Sequence, residues 1–149
     1  MIEYRKGSVF DAPTGSLLVH ACNCQGVWGS GVARGFKDKF PRAFAVYKKE
    51  VTSSDKIGKH LLIGDNAHYI ACLMTSKYYG KHKDSVEVIL ENTRSAISDL
   101  FCSSILRGSY SEIHSPKINA GLFGVPWGET EKIIKEVIPE SFKWVVWEL

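Results

Sequence analysis

Three stretches of this chain hold residues whose types and spacing could do chemistry. The first, from Leu17 to Ala33, reads LLVHACNCQGVWGSGVA: an apolar run, then His20, Asn23 and Gln25, then Gly26, Gly29 and Gly31 spaced around Trp28 and Ser30. The second, from Asn119 to Gly128, reads NAGLFGVPWG, and the third, from Thr75 to Asp84, reads TSKYYGKHKD. Glycine lets backbone approach a phosphate closely, and the first turn of a helix leaves N–H groups without partners. A strand, a glycine-spaced loop and a helix start in that order therefore make an anion cradle. His20 adds an imidazole able to pass a proton near neutral pH. Asn23 adds an amide that both donates and accepts.

Several familiar chemistries are excluded. No Lys-Ser/Thr follows the first glycine loop, so it is not a nucleotide-binding P-loop. No cysteine is separated from an arginine by five residues; Cys102 and Arg107 are one residue short. No aspartate pair is spaced for a phosphoaspartate or a two-metal site. Cys22-Asn23-Cys24 is too short for a zinc knuckle and lacks a second pair. No metal and no cofactor is therefore expected. Cys22, Cys24, Cys72 and Cys102 are read as reduced thiols, with Cys72 and Cys102 as small buried residues.

The elements that must position these groups follow from periodicity. Ile2 to Arg5 alternates as a strand. Leu17 to Ala21 is apolar without alternation, as a central strand is. Val32 to Phe40 suits a helix that Phe40-Pro41 ends, and Arg42 to Glu50 a second. Ile57 to Gly64 and His68 to Met74 form a strand pair joined by Asp65-Asn66-Ala67, with His60 and His68 facing solvent. Ser85 to Ile105 has helical spacing throughout and is the longest helix. Glu112 to Ile118 is extended, Glu129 to Val137 is a helix with acidic residues in its first turn, and Phe142 to Leu149 closes as a strand. Strands and helices in alternation predict a three-layer α/β fold, in which both glycine loops lie beyond strand ends and meet at one crevice.

The 149 residues, 44% hydrophobic and 23% charged, fit a single globular domain over residues 1–149. The net charge of +3 favours a small anionic ligand. It comes without the basic blocks and interleaved aromatics of a DNA-specific binder. No apolar run approaches the roughly 20 residues that span a bilayer, and MIEYRKGSV is not a signal peptide. The expectation is an intracellular monomer, cytoplasmic or nuclear, with a small-molecule partner.

HACNCQGVWGSGVA followed by PKINAGLFGVPWGETE resembles the macro domain family of ADP-ribose-binding modules, and in particular its small fungal-type ADP-ribose 1″-phosphate phosphatase branch. The resemblance covers almost the whole chain. It implies a mixed sheet flanked by helices with ADP-ribose across its crest. Gly7, Ser8 and Val9 stand where the adenine-side loop lies, with Ser8 where most members carry an acidic residue. Ala21, Cys22 and Asn23 match the stretch beside the distal ribose. Trp28, Gly29, Ser30, Gly31, Val32 and Ala33 match one phosphate loop. Ile118, Asn119, Ala120, Gly121, Leu122, Phe123 and Gly124 match the other.

The branch that removes ADP-ribose from glutamate uses a lysine and an aspartate. Here the aspartate position reads Phe123, and Lys77 is one position off, so that chemistry is not implied. The resemblance implies hydrolysis of ADP-ribose 1″-phosphate to ADP-ribose and phosphate, with His20 and Asn23 as catalytic residues. The alternatives are a non-catalytic reader of ADP-ribose, with an ADP-ribosylated protein as partner, and a hydrolase of acyl or other ADP-ribosyl adducts. For His20 the structural alternative is a hydrogen-bonded residue at the sheet's end, and for Asn23 a self-satisfied turn. Asn119 is read more as turn than as ligand contact. Trp28 either leans over the ligand or caps the helix. Phe123 covers the distal ribose or fills core, and Trp127 is read as core. Lys77, Tyr78, His82 and Asp84 are read as solvated loop residues.

Overall fold

Two strands that are apolar on both faces set the centre of the molecule. In the computed structural model, which describes residues 1–149 and all side chains but those of Ser104, Ile105 and Arg107, they are β2 (Leu17–Asn23) and β4 (His68–Ser76). The others are β1 (Ile2–Lys6), β3 (His60–Asp65), β5 (Glu112–Ser115) and β6 (Lys143–Glu148), in the sheet order β1-β6-β5-β2-β4-β3. Every pairing is parallel except β3 with β4. That antiparallel pair turns through Asn66 and Ala67, both at positive φ (47° and 62°), the geometry that matches a hairpin to strand twist. The sheet is mixed, as expected.

Period-two alternation sends neighbouring residues to opposite layers. Leu17 and Val19 of β2, with Ala71 and Leu73 of β4, pack under α3 (Val86–Phe101) and α5 (Trp127–Val137), joined by Leu106 of the short α4 (Ser104–Ser109). Leu18 and Cys22, with Ile70, Cys72 and Met74, pack under α1 (Gly31–Lys39) and α2 (Pro41–Glu50) through Phe36, Ala43 and Tyr47. The three-layer arrangement expected from the sequence is the one observed.

Several details differ from expectation. The long helix breaks at Cys102, and α4 continues separately. Cys102 is exposed, not buried. Residues 57–59 precede β3 in a turn, and β2 runs on to Asn23. His60 and His68 are not free solvent-facing groups: His60 Nδ1 is 2.8 Å from Asp99 Oδ2, and His68 Nδ1 is 3.2 Å from the Ser16 carbonyl. Asp99 reaches across from α3 and also accepts from the His60 N–H (3.0 Å), fixing the β3 edge to the helix layer. Among the described residues, no helix is long and apolar enough to cross a membrane.

Candidate active site

Parallel strands β2, β4 and β5 all end on one side of the sheet, where ligand crevices of α/β folds form. A cavity of about 640 Å³ opens there. Both glycine loops line it. From the first come Ala21, Cys22, Asn23, Trp28, Gly29 and Ser30, with Val32 and Ala33 of α1. From the second come Ile118, Asn119, Ala120, Gly121, Leu122 and Phe123. The loops meet at Gly31, where an added Cβ would sit 3.4 Å from Leu122 Cδ1. Gly31 and Gly124 support the loops without lining the cavity; both have positive φ (62° and 68°), which a side chain would strain.

The walls are rich in free backbone donors. Gly121, Leu122 and Phe123 offer N–H groups with no acceptor among the described residues, whereas Ala120, Gly124 and Val125 donate within the loop. Across the cavity the first turn of α1 has no intrahelical acceptors for its N–H groups. Ser30 is its N-cap, yet the Ser30 hydroxyl caps nothing. The helix dipole adds positive potential at that point. An anion seated between the loops would meet N–H groups from both sides.

Each loop is held by a buried asparagine. The Asn23 Oδ1 accepts from the Gln25 N–H (2.9 Å) and the Tyr47 hydroxyl (3.0 Å), and its Nδ2 donates to the Val27 carbonyl (2.8 Å). The Tyr47 hydroxyl is closer still to the Asn23 carbonyl, 2.6 Å. Asn23 thus lines the cavity while its side chain also holds the turn, as its turn reading implies. Asn119, at φ 66°, accepts from the Thr75 hydroxyl (2.9 Å) and donates to Thr93 Oγ1 (2.9 Å) and Thr130 Oγ1 (3.4 Å). That network ties the second loop to β4, α3 and α5, as the turn reading of Asn119 implies.

His20 is not in the crevice. It lies inside β2, three residues before the strand's end, on the α1 face. Its ring stacks on Phe36 at 4.0 Å and meets Trp28 edge-on at 4.6 Å. It is fully buried, and burial pushes its pKa down to about 3. A general acid or base must reach the reacting atoms, and this imidazole does not. The expectation of a catalytic His20 is therefore corrected: β2 is longer than its apolar run suggested, and the alternation puts residue 20 under the helix.

Gly7, Ser8 and Val9 follow β1 and lie outside the cavity. Ser8 and Asp11 form a capping box, in which the Ser8 N–H donates to Asp11 Oδ2 (3.0 Å) and the Phe10 N–H to Ser8 Oγ (3.2 Å). The turn drives Val9 into the core. Trp28 is buried, stacked on Tyr47 at 4.8 Å, and forms a wall of the cavity; it does not cap α1. Trp127 begins α5, half-buried against the core, and its indole N–H donates to the Tyr4 hydroxyl (2.7 Å). Phe123 lines the cavity.

Tyr79, Gly80, Val27 and Lys117 also line the cavity and were missed. Lys117 opens the PKINAG motif, a cation placed beside a phosphate loop, and that signal was available. Its ammonium pairs with Glu148 at 3.0 Å. In the third stretch, Asp84 accepts from the Lys77 N–H (2.9 Å), and Tyr78 and His82 line a shallower adjoining cleft. Cys102 is remote from the cavity lining, and the Arg107 side chain lies outside the described residues. No carboxylate or imidazole is among the cavity's described lining residues.

Comparison with known proteins agrees with this geometry. A family model described as "Macro domain" matches residues 19–134. Curated proteins named ADP-ribose 1″-phosphate phosphatase are similar to it. That of Meyerozyma guilliermondii is 36% identical, covering 91% of this chain and 93% of its own. That of Aspergillus fumigatus is 33% identical, covering 88% and 87%. Among solved structures, the macrodomain of Thermus aquaticus DarG superposes with a TM-score of 0.79 at 27% identity, over 100% of this chain and 99% of that one. The macrodomain of Mycobacterium tuberculosis DarG gives 0.78 at 25%, over 100% and 98%.

Proposed function

Because this chain belongs to the macro domain family, we propose that its crevice binds ADP-ribose and that it hydrolyses ADP-ribose 1″-phosphate to ADP-ribose and inorganic phosphate. The name shared by its curated relatives supports that substrate. The observation that carries the reading is the pair of backbone N–H walls facing each other across one cavity. Facing N–H walls suit a diphosphate, whose charged oxygens need donors on more than one side.

The hydrolysis is an attack of water on the terminal phosphorus. The bond from phosphorus to the distal-ribose oxygen breaks, and that oxygen leaves with a proton. The chain's part is to hold the ADP-ribose moiety so that the phosphate cannot turn, and to stabilise its transferring charge with fixed dipoles. Those of Ser30 at the α1 start and Gly121 to Phe123 opposite are preorganised by Asn23 and Asn119. Tyr79 and Lys117 are the other polar residues of the lining, with the Lys117 ammonium paired to Glu148. With no carboxylate or imidazole among the cavity's described lining residues, turnover rests on position and electrostatics, and a modest rate is expected.

That same shortage of a general base favours a second reading, a module that binds ADP-ribose without altering it. Two measurements on the intact chain separate them. Calorimetry with ADP-ribose tests the crevice, and phosphate release from ADP-ribose 1″-phosphate tests the chemistry. Binding with release above background is expected; binding with release at background assigns the chain to the reader class, and no binding removes both. We also place the protein inside the cell, a reading supported by its four free cysteines and tested by fractionation, and read it as a monomer, which sedimentation tests.

A further inference from the structure

Beneath the crevice wall three potential ligands converge. His20 and Cys22 are two residues apart on the α1 face of β2, and Cys72 is paired directly opposite His20 in β4. Their ligating atoms all lie within 4.8 Å of one another, and all three residues are buried. Cys22 Sγ is 3.5 Å from His20 Nε2 and 3.7 Å from Nδ1.

The hydrogen bonding around this trio is incomplete. Neither imidazole nitrogen has an oxygen or nitrogen partner among the described residues; both meet only the Cys22 sulfur. The two nitrogens point well apart on the ring, so a single weak thiol serves at most one of them properly. The Trp28 indole N–H is also buried near the same sulfur and finds no hydrogen-bond partner, while burial pushes the Cys22 thiol well up. Buried polar groups are normally satisfied, and an unpartnered indole N–H beside an imidazole served only by one sulfur calls for an explanation.

We propose that His20, Cys22 and Cys72 form a closed three-coordinate site for a soft d10 cation of the copper(I) class. Two sulfurs and one imidazole, without an oxygen donor, select soft ions over magnesium, calcium or manganese. A structural zinc site asks for four strong donors. The further donor suggested by the register is the thioether of Met74, paired with Cys22 on the same face, which is a soft ligand too. Binding replaces one S–H bond with a metal–sulfur bond and releases that proton to solvent. A monovalent ion with one thiolate, one thiol and a neutral imidazole leaves no net buried charge. The Trp28 N–H then has a thiolate to donate to, and Phe36 and Trp28 shield the site from water. Cys22 also lines the crevice, so the ion enters from there.

The site is independent of the crevice's ligand and is tested separately. The reduced intact protein is titrated with copper(I) under argon against a chromophoric copper(I) chelator. One equivalent is expected to be retained. X-ray absorption should show two sulfurs and one imidazole nitrogen, and the thermal midpoint should rise with occupancy. Cys102→Ser should keep the site. Cys72→Ser should weaken it by more than the roughly 10–100-fold that loss of a supporting contact costs. Should Cys72→Ser fail to fold, the coordination sphere of the wild-type protein decides alone. Failure of the folded wild type to hold copper(I) against the chelator, a sphere without imidazole, or retention lost with Cys102→Ser would each overturn the proposal.

Discussion

The imidazole of His20 and the ring of Phe36 lie 4.0 Å apart and within 4° of parallel, in the layer between β2 and α1. A proton on that imidazole would put a charge into an aromatic box, which is why burial pushes its pKa down to about 3. In the unfolded chain the same group titrates near 6.5. Between those values the unfolded state binds the extra proton, so stability rises with pH across the window and is lost as pH falls through it. The full difference is about 5 kcal/mol by pH 3, at about 1.4 kcal/mol per unit. His114, whose pKa burial also lowers, adds a smaller slope of the same sign. Urea unfolding of metal-free protein at pH 7, 6 and 5 should show the loss before the carboxylates titrate. His20→Phe should remove most of the slope and leave phosphate release by the folded fraction nearly unchanged. An equal slope in the variant, or loss of turnover without loss of fold, would restore His20 to the chemistry.

Asn119 makes a different demand. Its backbone sits at φ 66° and its side chain joins Thr75, Thr93 and Thr130. Asn119→Ala strips the network, at about 1–3 kcal/mol for buried groups left unpaired, and keeps a Cβ in the left-handed region, where it costs about 1–2 kcal/mol. Asn119→Gly strips the same network but removes that Cβ. The two variants should therefore differ by about 1 kcal/mol in chemical unfolding, with glycine the more stable. Equal stabilities would mean that the turn is not left-handed in solution.

The contrast between these two residues shows what was legible in the sequence. Both glycine loops were readable, because Gly26, Gly31 and Gly124, all at positive φ, mark local backbone needs that glycine meets. The central position of β2 was readable from its apolar run, and the mixed sheet from the family resemblance. The face of His20 was not, since alternation assigns faces only once the strand's end is known, and β2 runs two residues past its apolar stretch to Asn23. The partners of Asn119 were not readable either: Thr75 and Thr93 are 44 and 26 residues away, brought in by tertiary packing. Cys102 followed an apolar helical pattern that carries through Phe101, and nothing local announced that the helix stops there and leaves the thiol exposed.

Tyr47 links the first loop to α2. Its hydroxyl donates to the Asn23 carbonyl at 2.6 Å, with Asn23 Oδ1 at 3.0 Å, while its ring stacks on Trp28. Tyr47→Phe keeps the ring and deletes the donor. The buried Asn23 carbonyl then loses its partner, and a loss of about 1–3 kcal/mol is expected. Because the Asn23–Val27 turn shapes one wall of the crevice, ADP-ribose affinity should fall with it. A variant as stable as wild type would show that water or a rearranged turn replaces the hydroxyl.

Gly121 isolates the binding surface from the fold. A Cβ added there meets nothing within 4 Å, and its φ is not positive, so the protein accommodates alanine without strain. Yet Gly121 lines the cavity between Asn119 and the free N–H groups of Leu122 and Phe123. A methyl at that point holds a diphosphate away from donors that work only at hydrogen-bond distance. Gly121→Ala should change stability by less than about 0.5 kcal/mol, while ADP-ribose affinity drops by about tenfold, the loss of roughly one hydrogen bond to a charged group. Gly108→Ala, equally unhindered but outside the cavity, should leave affinity alone. Calorimetry on the two variants reads the difference directly: unchanged binding in Gly121→Ala would move the diphosphate off the second loop and leave the α1 terminus and Ser30 as its only cradle.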